Sequence, residues 1–153
     1  MQELNYPQYQ FRFQEKEGKV KIFDELRKLW IILTPEEWVR QHVVKYLIQE
    51  KKYPASLIAI EAGIEVNNLK KRCDIVVFEN TGRPVMIVEC KAPEIKITQK
   101  AFDQIASYNM KLKVDCLLVT NGLNNFCCKI DYEKSSFKFL EEVPEWSKLI
   151  SQQ

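Results

Sequence analysis

Apolar and polar positions alternate in two short stretches near the start of the chain, Tyr9-Gln10-Phe11-Arg12-Phe13 and Val20-Lys21-Ile22. A period of two puts every second side chain on one face of an extended strand. Glu15-Lys16-Glu17-Gly18 supplies a turn between them, so the pattern predicts a β-hairpin. Residues 24–33 fit a short helix and a strand equally well. At Thr34-Pro35-Glu36-Glu37 a helix begins: threonine caps, proline takes the first helical position, and Glu37 stands three residues after the cap. Val39, Val43, Tyr46 and Leu47 give it an apolar stripe out to about Lys52. Tyr53-Pro54 ends it, because the residue before a proline avoids the helical region.

Three strand-like segments follow, at 57–66, 73–78 and 85–90, separated by Asn67-Asn68 and by Asn80-Thr81-Gly82-Arg83-Pro84. Thr98 caps a second helix to about Leu112, with Phe102, Ile105, Asn109 and Leu112 at helical spacing. A strand at 114–120 stops at Asn121-Gly122, and two more short strands cover 126–132 and 136–140. The central order is α-β-β-β-α-β, which calls for an α/β fold, a mixed sheet flanked by helices. The 153 residues contain no repeat, low-complexity tract or linker, so one domain is expected. Within it, 1–33 form a hairpin extension, 34–120 the core, and 121–153 further strands and a tail.

Composition changes this picture little. Hydrophobic residues at 46% and charged residues at 29% describe an ordinary globular chain. No run of eighteen apolar residues could cross a membrane. Met1-Gln2-Glu3-Leu4-Asn5-Tyr6-Pro7 lacks the basic-then-apolar order of an export signal, which points to the cytoplasm. The five cysteines fit that setting. Their count is odd, and Cys73, Cys90 and Cys116 lie in apolar runs, as reduced buried thiols do. Cys127 and Cys128 lack the spacing of a zinc site, and His42, the single histidine, reads as a packed or surface residue. A net charge of +2 is too small to argue for nucleic acid by itself. The local runs Lys51-Lys52 and Lys70-Lys71-Arg72 read either as a basic patch or as a solvated face.

The anomaly lies in Met86-Ile87-Val88-Glu89-Cys90-Lys91-Ala92. So apolar a strand should be buried, yet it ends in a carboxylate and an ammonium two positions apart. Glu89 and Lys91 therefore point one way and Cys90 the other. Burying either charge unpaired costs on the order of several kcal/mol, which a partner or a bound cation must offset. Asp74 repeats the pattern at the head of the preceding apolar run. If the two strands pair as a hairpin, Asp74 and Glu89 can reach each other, and two converging carboxylates repel unless a divalent metal lies between them. Lys91 beside that metal can orient or deprotonate a water for attack on phosphorus. The plain alternative is a charged strand end bearing a surface ion pair of little weight.

These residues resemble a family. Asp74 and Glu89-Cys90-Lys91 match the D…(D/E)xK signature of the restriction-endonuclease-like superfamily. Gln104-Ile105-Ala106-Ser107-Tyr108 matches the QxxxY motif of RecB-type nucleases and type I restriction R subunits. The stretch from Leu33 to Gln41, with Tyr53-Pro54, looks like the opening helix of the N-terminal nuclease domain of those R subunits. The resemblance covers roughly residues 20–140. It implies that Asp74, Glu89 and the backbone carbonyl of Cys90 ligate Mg²⁺, with Mn²⁺ as a substitute, and that Lys91 positions the water. It places Gln104 and Tyr108 on one helix face, touching DNA phosphate or holding the lysine; otherwise they are a polar helix residue and a half-buried tyrosine. Glu37 resembles the acidic residue of the superfamily's first helix, although Thr34-x-x-Glu37 is equally a capping box. Lys70, Lys71 and Arg72 are the basic run assigned to DNA.

The chain departs from the family where Cys73 replaces the proline before the aspartate, and where no motor and no GxxxxGK[ST] loop follows. The cysteine is a common variation; without the motor, the chain looks like a short stand-alone version. Three readings stand at this point: a metal-dependent DNA nuclease, a catalytically silent module that binds DNA or assembles with a separate motor or specificity protein, and a purely structural charge cluster. Homodimers are common among nucleases of this fold, but no segment identifies itself as an interface.

Overall fold

The computed structural model describes residues 1–151. Two sheets form. β1 (Phe13–Lys16), β2 (Lys19–Asp24) and β3 (Leu29–Ile32) make an antiparallel meander. After α1 (Pro35–Gln49) and a 3-10 turn at Ala55–Leu57 comes a six-stranded sheet. Its strands are β4 (Ile58–Val66), β5 (Leu69–Phe78), β6 (Pro84–Cys90), β7 (Cys116–Thr120), β8 (Asn125–Asp131) and β9 (Ser136–Leu140), in that order across the sheet. Only β6 and β7 run parallel, and α2 (Gln99–Leu112) is the crossover such a pair requires. A short α3 (Trp146–Ser151) closes the described chain.

The expected α-β-β-β-α-β core is present, and each helix covers one face of the sheet. Val39, Val43 and Leu47 of α1 pack on Ile75, Val77, Met86, Val88 and Leu118. Phe102, Ala106 and Leu112 of α2 pack on Val76, Ile87, Leu117 and Val119. Both caps hold as read: the Thr34 and Thr98 hydroxyls accept from Glu37 N–H at 3.0 Å and Ala101 N–H at 3.1 Å.

Several boundaries differ. Residues 9–12 are not a strand, because Tyr9 and Phe11 turn their rings onto His42, 5.9 and 4.9 Å away between centroids. The segment before them is stitched to the core: Tyr6 is buried and its hydroxyl meets Thr120 Oγ1 (3.0 Å) and Asn125 Oδ1 (2.7 Å). Residues 24–33 resolve into a turn and a third strand, since the Asp24 carboxylate accepts the Leu26 and Arg27 N–H groups at 2.9 and 2.8 Å. β5 starts at Leu69 instead of 73, because Asn67 and Asn68, with φ of 51° and 67°, form a tight hairpin turn. Lys70, Lys71 and Arg72 are thus strand residues, paired with Glu65, Ile64 and Gly63. β7 begins at Cys116 because Lys113 ends α2 in the left-handed region. No apolar period announced α3; Trp146 is held by Tyr53 (5.4 Å between centroids) and by its N–H donating to Lys51 O at 2.9 Å.

Candidate active site

β5 and β6 pair through Val77↔Met86, Val76↔Ile87 and Ile75↔Val88. One further step would set Asp74 opposite Glu89, but the ladder ends there. The Cys90 N–H donates to Asp74 Oδ2 at 2.7 Å instead. The backbone pairing stops at that point, and both carboxylates are half-buried at this end of the ladder. On β6, Val88 and Cys90 face the α1 core and Ile87 the α2 core, so alternation puts Glu89 on the α2 side. The Lys91 N–H continues the chain's course by donating to Thr120 O at 2.8 Å. Its side chain is half-buried, and its charge acts on Glu36 and Glu89.

The neighbouring strand is distorted at the same level. Glu61, inside β4, has φ of 52°, a conformation few non-glycine residues adopt. Ile58 and Ile60 before it face α1, whereas Ala62, Ile64 and Val66 after it face α2. The pairings Ile60↔Ile75 and Ala62↔Cys73 bracket Glu61 and Asp74, so the sheet exchanges faces where its carboxylates gather.

Around them lies a dense charge cluster. Buried Arg40 of α1 donates from Nη1 to Glu37 (2.8 Å) and Glu61 (2.9 Å), and from Nη2 to Asp74 (3.2 Å) and Glu36 (3.4 Å). Glu61 also pairs with Arg72 at 3.1 Å and Arg27 at 3.4 Å. Desolvation pushes the Glu61 carboxyl up, but these guanidinium groups outweigh it and its pKa falls. Arg27 joins Asp24 (2.6 Å) to Glu37 (3.2 Å), and Gln41 donates to both carboxylates.

Glu37 is therefore buried in this cluster, held by Arg27, Arg40 and Gln41. The structure does not bring it beside Glu89 or Lys91. The carboxylate of α1 whose field meets Asp74 and Lys91 is Glu36, raised by desolvation and then by Asp74. Glu36, Arg40 and Glu61 were not found from the sequence. The Glu36/Arg40 spacing of four on a helix was an available signal; nothing local marked Glu61.

Glu89 has its own partner. Lys71 Nζ donates to Glu89 Oε1, and the same ammonium lies 5.1 Å from the centroid of the Tyr108 ring. The Tyr108 hydroxyl donates to Lys70 O at 3.2 Å. Desolvation raises the Glu89 carboxyl, Asp74 adds to that, and Lys71 and Lys91 oppose it. Tyr108, Lys71 and Glu89 are thus brought together. Gln104 is exposed, in a shallow groove with Lys100, Asp103, Ser107, Tyr108 and Lys111. Lys70 and Arg72 are exposed on the outer part of β5.

Among the described residues, no three His, Cys, Asp or Glu side chains converge as a ready metal cage. All five cysteines are free and buried. His42 packs 4.3 Å from the Trp38 ring, with Nδ1 2.9 Å from Trp38 O, and burial lowers its pKa.

A search of curated proteins found no match. Among solved structures, a fragment assigned to the HsdR subunit of a type I restriction enzyme from Vibrio vulnificus YJ016 superimposes with a TM-score of 0.52 at 18% identity. The match covers 78% of this chain and 26% of that one, so the chain spans about a quarter of its length. At that identity the likeness shows the fold, which is the restriction-endonuclease-like one. The sequence model of the family described as the type I restriction enzyme R protein N terminus matches residues 35–144, from the first turn of α1 to beyond β9. The chain belongs to that family.

Proposed function

We propose that the domain is a metal-dependent nuclease that hydrolyses phosphodiester bonds in DNA within a restriction-modification system. The observation that carries this reading is the end of the β5–β6 pairing at Asp74 and Glu89, where the charges of Asp74 and Lys91 both act on the Glu89 carboxyl. Strand ends that merely needed solvation would not hold half-buried carboxylates against one another.

The residues fit a hard divalent cation. Asp74 and Glu89 supply carboxylate oxygens, and the Cys90 carbonyl lies between Glu89 and Lys91 in the chain. Each carboxylate already holds a cationic side chain, Arg40 on Asp74 and Lys71 on Glu89, so the site favours positive charge. Nuclease domains of restriction enzymes generally use divalent metals. Mg²⁺ characteristically takes one or two carboxylates, with waters and substrate phosphate completing its shell, so the lack of a full protein cage is no obstacle. Such an ion, when bound, supplies a Lewis acid and lowers the pKa of a bound water. Lys91 then orients the attacking water by hydrogen bonding, and Arg40 holds the Asp74 carboxylate in place through its ion pair. Lys71, Tyr108 and Gln104 form the approach on which a phosphate backbone lies.

The same two cations support a second reading, a catalytically silent DNA-binding or assembly module. If Arg40 and Lys71 hold their carboxylates permanently, no metal enters. A separate motor or specificity protein is a partner under either reading; no homodimer is proposed. No helix among the described residues is long and apolar enough to cross a membrane, and the proposed substrate places the domain in the cytoplasm.

The test is calorimetric titration of Mg²⁺ and Mn²⁺ into wild type, Asp74→Ala and Lys91→Ala, followed by plasmid nicking. The nuclease reading expects metal binding lost in Asp74→Ala and cleavage lost in both variants while each stays folded. Salt-dependent DNA binding indifferent to metal, without cleavage, would establish the silent module instead.

A further inference from the structure

The N-terminal three-stranded sheet has two unlike faces. One follows the pairs Phe13↔Ile22 and Ile22↔Ile31 and turns inward. Ile22 and Asp24 on it are buried, and the Phe13 ring lies 6.2 Å from Trp38 of α1. The opposite face follows Lys16↔Lys19, Gln14↔Lys21, Lys21↔Ile32 and Phe23↔Trp30. Arg12, just before β1, joins it with its guanidinium 4.4 Å from the Phe23 ring centroid and 5.5 Å from that of Trp30.

That outer face carries cations and aromatic rings and no carboxylate at any of the paired positions. Glu15 pairs with Val20 on the other face, and Glu17 and Glu25 lie in turns. Among the described residues Lys16, Lys19 and Lys21 make no ion pair, although carboxylates neutralise the arginines of the neighbouring cluster. Lys16 stands directly opposite Lys19, a like-charge pairing that works against the hairpin. Phe23 and Trp30 are half-exposed and Ile32 is exposed, and none of the three belongs to either hydrophobic core. Folding leaves these lysines without an ion pair among the described residues, and leaves the two rings half-exposed with the Arg12 guanidinium against them.

We propose that this face binds single-stranded nucleic acid. Arg12, Lys16, Lys19 and Lys21 take the phosphates, and the Phe23–Trp30 pair is the platform on which unpaired bases stack. The polyanion supplies the charge that the face lacks. Rings set in a flat sheet are reached by bases that are not already stacked in a duplex, which selects the single strand. The sheet is joined to the active-site cluster: Asp24, next after Phe23, is held by Arg27, and Arg27 reaches Glu37 and Glu61. The inference rests on the nucleic-acid reading above and extends it to a surface outside the cleft.

The test is fluorescence anisotropy of a labelled oligothymidylate, in EDTA and across a salt series, with the whole chain. Wild type, Asp74→Ala, Trp30→Ala and the double variant Lys19→Glu/Lys21→Glu are compared, with circular dichroism confirming each fold. Lys19→Gln/Lys21→Gln serves if charge reversal unfolds the protein. Wild type and Asp74→Ala should bind alike. The double variant should flatten the slope of log affinity against log salt by about 1.4, the share of two phosphate contacts on a single strand. Trp30→Ala should weaken binding about fivefold or more. Unchanged affinity in both variants, no binding by wild type, or equal loss on duplex and single strand in Trp30→Ala would overturn the proposal. So would capture by vesicles containing phosphatidylglycerol in place of the oligonucleotide. Lost cleavage with intact binding by this face would fail the nuclease reading alone; metal-dependent cleavage with no binding here would fail this inference alone.

Discussion

Arg40 shows what one buried charge does in this molecule. Its side chain is 7% exposed, yet it faces Glu36, Glu37, Glu61 and Asp74 within 3.4 Å. Removing one partner from such a cluster leaves the others buried and unbalanced. Arg40→Met should therefore destabilise the fold by about 3–5 kcal/mol in urea unfolding, and Glu37→Gln added to it should restore part of the loss. A change below about 1 kcal/mol would mean that the cluster is solvated and weak. Asp24 makes the pH-dependent case. Desolvation raises its carboxyl, but the Arg27 backbone and side chain and Gln41 outweigh that and hold its pKa below the ordinary value. A carboxyl lowered on folding adds stability above its unfolded pKa, near pH 4, and loses it as pH falls through the lowered folded value. Wild type should thus lose stability more steeply than Asp24→Asn below about pH 4. Parallel acid limbs would show that Asp24 contributes nothing through ionisation.

At the scale of the element, β4 carries the strain. Glu61 in the left-handed region reverses which faces Ile60 and Ala62 present, and that reversal turns its carboxylate toward three arginines. Glu61→Gly and Glu61→Val both lose the carboxylate, so their difference isolates the backbone. The valine variant should be less stable than the glycine variant by about 1–2 kcal/mol, because a β-branched residue fits this φ worst. Equal stabilities would mean that β4 simply straightens. β6 contributes through its end: apolar as far as Val88, it makes the α1–sheet–α2 sandwich rigid just where Glu89 and Lys91 emerge. Alternation alone separates Glu89 from Cys90, so the pairing of chemistry to face was readable from seven residues.

For the molecule as a whole, the question is whether residues 1–33 are an appendage. Leu4 and Tyr6 are buried in the α1-side core, and Asn5 N–H donates to Gly122 O at 2.7 Å. A Cβ on Gly122, whose φ is 85°, would come within 2.8 Å of Leu4, so the two segments are in tight contact. Asp24 and Arg27 reach the active-site cluster from the sheet. The extension is therefore part of the cooperative unit. Calorimetry should show one unfolding transition, and deletion of residues 1–12 should lower its midpoint by about 10 °C or more, since two buried side chains and their hydrogen bonds are lost. Two separate transitions, or an unchanged midpoint, would make the segment an independent appendage.

Local pattern was enough for whatever is decided within one element. The caps at Thr34 and Thr98, the apolar strands, the α-β-β-β-α-β order and the Asp74, Glu89-x-Lys91 and Gln104-to-Tyr108 spacings depend only on backbone propensity and side-chain period. Tertiary structure decided everything that depends on which strangers meet. Residues 9–12 alternate like a strand but found aromatic partners on α1, and Lys70-Lys71-Arg72 look like a loop but pair with β4. Glu37 satisfies the sequence rule for a cap and a family position, yet Arg27 and Arg40 draw its carboxylate into the cluster while Glu36 faces Asp74. Glu61 gave no sign at all, because a reversed backbone within a strand is imposed by charges that arrive from three other elements.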